Sequence, residues 1–197
     1  MDTHIQNVVR SCFYQLRKLR SIRWSLPTDA RQTLTSAFIT SRVDYCNGVL
    51  YNVSSRVIRQ LQMVLNAAAR LVVGVDRYEH ITPAPRDVLH WLPVPQRIQF
   101  EIAISAFDCV REHCPAYFNN VCIPVAGVSG RAHLRSAERH DMLVPSTRTQ
   151  LGRWSFHVAA AAVWNALSSH LRSPSISRGQ FRAGLKTHLF TQAYGHL

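Results

Sequence analysis

Residues 61–74 read LQMVLNAAARLVVG and contain one charge, three consecutive alanines and a terminal glycine. At 100° per residue, the large apolar side chains of this stretch share one broad arc, which predicts an amphipathic helix from Ser54 or Ser55 to Gly74. The alanines leave room for a neighbouring helix to approach closely, and Gly74 is a natural C-terminal stop. The predicted core side of this helix consists of Val57, Ile58, Leu61, Val64, Leu65, Ala68, Leu71 and Val72.

Other segments of the chain show the same helical spacing of apolar residues. The pattern predicts helices over roughly Thr3–Trp24, from Pro27 through about Thr40, from Pro95 onward, over Ser155–Leu167, and over about Ser175–Tyr194. No internal repeat and no sustained strand alternation accompany them. The sequence therefore predicts a mainly α fold, in which a Pro-, Gly- and Arg-rich loop at about 122–150 leaves room for at most one short β-hairpin.

The composition combines a sizeable core with a strong positive charge. Apolar residues make up 47% of the 197 residues, and 23 Lys and Arg against 11 Asp and Glu give a formal charge of +12. Only Lys18 and Lys186 are lysines, so the charge is carried by arginine, whose planar fork matches phosphate and carboxylate oxygens. This bias favours RNA or DNA as a partner. A merely basic surface, or arginine codons of GC-rich DNA, would produce the same composition.

The cysteines and the apolar runs indicate in which cellular compartment the protein is expected. Five cysteines at irregular spacings do not form a disulfide framework, and Met1–Arg10 is not a secretory signal. The longest uninterrupted apolar run, Val158–Trp164, is far too short for a membrane span. We therefore expect a soluble, reduced, intracellular protein with no membrane partner.

No catalytic constellation is visible in the sequence. Acidic residues are scattered, whereas a two-metal polymerase or nuclease site needs converging carboxylates. The glycines lack the lysine and helix context of a phosphate loop. Cys109, Cys114 and Cys122 have a C-x4-C-x7-C spacing that structural zinc sites do not favour, so buried thiols are the better interpretation. We expect no catalytic residue, metal, cofactor or small-molecule substrate on this chain.

Basic residues on helix faces are the candidate sites. Three predicted helices carry them, and backbone phosphates are the expected ligands. The alternative is that an amphipathic helix simply places solvated charges outward. Trp91 and Trp164 lie in apolar runs and are expected to be core anchors rather than base-stacking platforms. The candidate nucleic-acid-binding residues are Arg10, Arg17, Lys18, Arg20 and Arg23, then Arg56, Arg59, Asn66 and Arg70, then Arg178, Arg182 and Lys186.

Five segments, taken in order, resemble one known family. They read SRVDYCNGVLY (41–51), LQMVLNAAARLVVG (61–74), HITPAPRDVLHWLPVPQRIQF (80–100), LRSAERHDMLVPSTRTQLGRWSFHVAAAAVWNAL (134–167) and FRAGLKTHLF (181–190). In combination they resemble the C-terminal part of reverse transcriptases encoded by non-LTR, LINE-type retrotransposons of the CR1/L2/Jockey-like group. Nearly the whole chain is covered.

The resemblance implies both an architecture and a role. Residues 1–78 would correspond to the thumb, a helical bundle that grips the template–primer duplex, and residues 79–197 to the C-terminal extension. The palm with its catalytic aspartates and the endonuclease would lie outside this chain, which would therefore be non-catalytic. A nuclear location is also implied. The alternative function is that of a small helical protein-interaction domain, or a relic of a transposable element without function.

Overall fold

The structure, a computed structural model, describes residues 2–76, 78–118 and 120–195. Within these ranges the chain is 66% helical and forms no β-strand, which confirms the mainly α prediction. None of the described helices is long and apolar enough to cross a bilayer. The α-helices are α1 (Asp2–Ser21), α2 (Thr28–Thr35), α3 (Ser41–Asp44), α4 (Ser55–Val73), α5 (Val94–Val110), α6 (Arg135–Glu138), α7 (Gln150–Arg153), α8 (Phe156–Ala166) and α9 (Arg178–Tyr194).

The chain divides into two compact units. Unit 1 comprises the chain up to Asn47 together with Val53–Arg97, and unit 2 comprises Gly48–Asn52 and Ile98–Gly195. Residues 79–97, which the family resemblance places in the C-terminal extension, belong to unit 1. Each unit has its own core and is described separately below.

Helix α4 is the central element of unit 1 and packs against α1 and α2. Its buried side matches the predicted arc with two differences: Ile58 is only partly buried, and Ala69, which was not predicted, is buried. Ala68 and Ala69 have no exposed surface, so the small residues do permit close helix packing. The helix ends at Gly74, which adopts a left-handed conformation with φ of 87° and donates its N–H to the carbonyl of Arg70 at 2.9 Å.

The remaining helices of unit 1 differ in their ends from the predictions. Helix α1 stops at Ser21 and is followed by a 3₁₀ turn over Arg23–Ser25, so the helical prediction to Trp24 was slightly long. The second helix extends past Thr40, because a π-helical turn over Ser36–Thr40 leads directly from α2 into α3.

Two contacts attach residues 79–97 to unit 1. The side-chain oxygen of Gln62 on α4 accepts the backbone N–H of Val94 at 2.9 Å. Arg97 forms an ion pair with Asp44 at 2.6 Å, and both side chains are largely removed from water. Burial raises the pKa of Asp44, and the charge and hydrogen bond of Arg97 partly oppose that shift. Contacts between residues so far apart in sequence do not appear in local periodicity.

Three neighbouring aromatic residues lie in the core of unit 2. Phe107 of α5 stacks on Phe181 of α9 with ring centroids 4.4 Å apart, and Trp164 of α8 lies 5.9 Å from Phe181. All three are almost fully buried, so Trp164 is a core anchor as predicted. Helix α9 begins with a capping box in which Ser177 and Gln180 each accept a backbone N–H of the other residue.

The loop-rich region of unit 2 contains a single β-bridge and no hairpin of paired strands among its described residues. Pro124 and Met142 form this isolated antiparallel bridge. The side chain of Asn165 binds the other edge of Met142, accepting its N–H at 2.8 Å and donating to its carbonyl at 2.9 Å. Asp141, which is nearly buried, forms ion pairs with Arg139 and Arg172. The side chain of Asn165 thus binds the backbone groups of Met142 that a neighbouring strand would otherwise bind.

Candidate nucleic-acid interface

Helix α1 presents four of the predicted cations to solvent. Arg10, Arg17, Lys18 and Arg20 are all exposed, because the apolar residues at helical spacing occupy the opposite side and pack toward α4. None of the five ion pairs in the described part of the chain involves any of these residues. Their charge is therefore available to an external anion. Lys18 also lies 4.7 Å from the ring centroid of the exposed Tyr14.

Helix α4 carries a second line of polar residues. Arg56, Arg59, Met63, Asn66 and Arg70 follow one another at three- and four-residue steps and fall within one arc of the helix. The first three are exposed, whereas Asn66 and Arg70 are half-buried. The predicted stripe therefore exists, and its C-terminal half is partly enclosed.

Residues of both helices, and of the segments that follow them, line one cleft of about 540 Å³ in unit 1. The cleft brings together Arg20 and Arg23 from one predicted cluster with Asn66 and Arg70 from another. Its complete lining is Phe13, Arg20, Arg23, Met63, Asn66, Ala67, Arg70, Leu71, Val75 and Asp76.

Four further arginines of unit 1 lie outside this lining but on the same faces of α1 and α4. Arg10 and Arg17 are spaced three and four residues from Phe13, so they share its side of α1. Arg56 and Arg59 continue the α4 line toward the start of that helix. We call the exposed side formed by these four arginines, which borders the cleft, the basic face.

Two polar residues of the cleft have defined internal partners. The guanidinium of Arg70 donates to the backbone carbonyls of Asp76 and Glu79 at 3.3 and 3.0 Å, so it holds the chain that follows α4. The side-chain oxygen of Asn66 accepts a hydrogen bond from Gln62 at 2.9 Å. That bond orients the Asn66 amide so that its nitrogen is the group left to donate. Arg70 is thus first a structural residue, and Asn66 is a pre-oriented donor.

Arg23 combines a structural position with an exposed aromatic neighbour. A Cβ on Gly74 would lie 3.6 Å from Arg23 Nη2 and 3.8 Å from Arg31 Nη1, so both guanidiniums surround the C-terminal end of α4. Cations are favourable there because the last carbonyls of a helix carry partial negative charge. The Arg23 guanidinium also lies 4.4 Å from the ring centroid of Trp24. The sequence did not single out Arg31, since its position near α4 depends on the tertiary fold.

Exposed aromatic rings beside the cations were also missed. Trp24 is 86% exposed and Tyr14 is 54% exposed, although large aromatic side chains are usually well buried. Trp24 lies in the polar run RSIRWS, and that context was a signal that its ring would not enter the core. The tryptophans considered from sequence behave differently: Trp164 is buried, and Trp91 is half-buried with Arg97 at 5.9 Å from its ring.

The third predicted cluster belongs to α9 in unit 2. Arg178 donates through Nε and Nη2 to both carboxylate oxygens of Asp108, at 2.7 and 2.9 Å. This bidentate contact raises the pKa of Arg178 and neutralises its charge locally. Arg182 and Lys186 are exposed and take part in none of the described ion pairs. Two of the three residues therefore retain a charge available to a partner.

The described carboxylates are dispersed, whereas Cys109, Cys114 and Cys122 lie close enough together for their thiols to interact. Asp44, Asp87, Asp108 and Asp141 each pair with arginine. Hydrogen bonding to Arg86 lowers the pKa of Asp87. Burial raises the pKa of the thiols of Cys12, Cys109 and Cys122. Among the described residues, no three His, Cys, Asp or Glu side chains are placed to hold a metal ion.

Comparisons with protein-family models, with curated proteins and with solved structures find no match for this chain.

Proposed function

We propose that this chain is the non-catalytic, nucleic-acid-binding part of a LINE-type reverse transcriptase, and that the basic face of unit 1 contacts the phosphate backbone of RNA or DNA. The observation that supports this most directly is the set of exposed cations on α1 and α4 that have no carboxylate partner among the described residues. The segments quoted above, which resemble that family, support its placement there.

The chemistry of the basic face suits a backbone rather than a base sequence. Arginine presents several N–H donors in a rigid fork that matches phosphate oxygens. Residues such as Arg10, Arg17, Arg56 and Arg59 lie on exposed helix faces with no apolar enclosure described around them, so they would hold phosphates without reading base edges. Each phosphate neutralised would release condensed counterions, which makes the affinity fall steeply with salt.

A second function is favoured by the exposed apolar side chains of unit 1. Trp24, Met63 and Tyr14 are exposed beside the cations, and such a mixture also suits an acidic protein partner. The two functions differ in their salt dependence. Phosphate binding should follow a log-linear law whose slope counts contacts, whereas a protein partner that buries apolar groups should show a weaker dependence.

The proposal is tested by fluorescence anisotropy with a labelled duplex and a labelled RNA–DNA hybrid between about 50 and 200 mM salt. Arg17→Ala and Arg59→Ala should each reduce the slope of log affinity against log salt by about 0.9. Arg86→Ala is the matched control, because Arg86 already pairs with Asp87 at 2.7 Å and lies off the basic face. Absence of binding at low salt, or an equal change of slope in all three variants, would refute the proposal.

A further inference from the structure

Phosphate contact does not account for the apolar part of the cleft in unit 1. Phe13, Met63, Ala67, Leu71 and Val75 line it beside the polar residues. Phe13 and Met63 are 37% and 57% exposed, so the fold leaves these apolar groups facing open space instead of covering them. Exposed apolar surface next to cations is costly in water and is typical of a site that a ligand covers.

The polar groups of the cleft are mixed in sign, because Asp76 lines it together with three arginines, of which Arg70 already donates to backbone carbonyls. Asp76 lines the cleft, and its Oδ1 accepts the backbone N–H of Tyr78 at 3.1 Å, which fixes the carboxylate in place. An anion placed directly against this carboxylate would be repelled, so we expect phosphates at the arginines and not beside Asp76. Asn66 supplies an amide donor and Asp76 an acceptor, and this pairing suits a neutral planar group that carries both donors and acceptors.

The size and lining of the cleft fit one such group. About 540 Å³ lies within the range of sites that hold small organic ligands, roughly 300–1,000 Å³. A nucleobase combines apolar faces, which can lie on Phe13 and Met63, with an edge that can bond to Asn66 and Asp76. The arginines at the margin of the cleft and along α1 would then hold the neighbouring phosphates of the same strand.

We propose that the cleft takes up a single unpaired nucleobase, so that unit 1 prefers nucleic acid with an unstacked nucleotide over fully paired duplex. This inference rests on the proposed function, since it assigns an additional contact to the cleft that borders the basic face. Bases within a duplex are stacked and paired, and removing one from the stack costs free energy. A strand end or a single-stranded overhang supplies the base without that cost.

The experiment compares three duplexes that share one paired region. The first is blunt, the second carries a short single-stranded overhang, and the third carries an overhang of the same length made of abasic sites. The abasic overhang has the same phosphates and no bases, so it separates base binding from added charge. We expect the base-bearing overhang to bind roughly tenfold tighter than the abasic one, as stacking on aromatic side chains provides.

Ala67→Leu supplies the matching protein variant. Ala67 lines the cleft and is only half-buried, so a larger apolar side chain would fill the cleft without adding charge. This variant should bind base-bearing and abasic overhangs equally, while its affinity for blunt duplex and its salt slope stay as in the wild type. Phe13→Ala should also reduce the preference, and retained binding of blunt duplex shows that each variant is folded.

The outcomes separate this inference from the proposed function. Equal affinity of the wild type for base-bearing and abasic overhangs overturns the base site and leaves phosphate binding intact. A preference that persists in Ala67→Leu places the base elsewhere and also overturns the inference. Absence of binding to all three duplexes overturns the proposed function itself. Displacement of the overhang by an acidic amphipathic peptide, in a manner abolished by Ala67→Leu, would instead assign the cleft to a protein segment.

Discussion

Asn165 takes the place of a β-strand beside Met142, and its removal measures how much unit 2 depends on this contact. The Met142 N–H donates to Asn165 Oδ1 at 2.8 Å, and Asn165 Nδ2 donates to the Met142 carbonyl at 2.9 Å. Met142 is 2% exposed, so water has little access to either backbone group once the amide is gone. Asn165→Ala would therefore leave two buried polar groups without a partner.

The expected cost follows from these two hydrogen bonds. Each contributes about 0.5–1.5 kcal/mol, and each orphaned buried group costs about 1–3 kcal/mol. Asn165→Ala should lower the free energy of unfolding by about 3 kcal/mol, within a range of about 2–5 kcal/mol. Unit 2 contains roughly 100 residues, for which 1 kcal/mol corresponds to about 4–8 °C, so its melting temperature should fall by at least about 10 °C.

The assay is urea unfolding followed by far-UV circular dichroism and by tryptophan fluorescence, to which the adjacent Trp164 contributes together with the three other tryptophans. Asn165→Asp is the informative companion, since its carboxylate can accept from the Met142 N–H but cannot donate to the Met142 carbonyl. Its stability should rise as the pH falls through the pKa of the new carboxyl, because the protonated form regains a donor. A cost below about 0.5 kcal/mol for Asn165→Ala, with an unchanged dependence on urea, would refute this reasoning.

Four further predictions concern packing, capping, thiol reactivity and the pH dependence of stability. Ala68→Leu should lower the free energy of unfolding by about 1–3 kcal/mol in urea titrations, because Ala68 has no exposed surface, whereas Ala67→Leu should change it little. Ser177→Ala should lower the free energy of unfolding by about 1 kcal/mol, because it removes the capping box of α9. Ser177→Asp should retain most of the stability of the wild type, since aspartate also caps helices. Equal losses in the two variants would contradict the capping role. Iodoacetamide should alkylate the exposed Cys46 of the folded protein well before the buried Cys12 and Cys122, as followed by mass spectrometry. Burial raises the pKa of both buried thiols, so the folded state holds their protons, and stability should fall as the pH rises past the ordinary thiol value of about 9.0. Simultaneous alkylation of all three cysteines, or stability independent of pH in that range, would argue against this burial.

Local spacing alone was enough to predict helix α4 and which of its sides is buried. A period of 3.6 residues places the large apolar side chains on one side, and the structure buries that side while leaving Arg56, Arg59 and Met63 exposed. The helix ends at Gly74, because glycine has no Cβ and therefore adopts the positive φ of this position without strain. The apolar run around Trp164 likewise predicted the burial of that side chain correctly.

Element ends were predicted less well where several weak signals compete. The segment from Thr28 to Asp44 continues through a π-helical turn at Ser36–Thr40, and no residue in this turn marks such a change of hydrogen bonding. The loop-rich part of unit 2 forms only one bridge, since Asn165 satisfies the backbone of Met142 in place of a strand. Such side-chain substitutes for backbone partners do not produce a sequence period.

The sequence by itself determined the helical class, the apolar faces and the excess of arginine, because each depends on residue identity or on neighbours within one or two turns. Only the tertiary structure decided which arginines share a site. It places Arg20 and Asn66 in one cleft, and it pairs Arg178 with Asp108 across 70 residues. The physical reason is that contacts between distant segments arise from the packing of whole helices, and that packing is absent from the periodicity of any single helix.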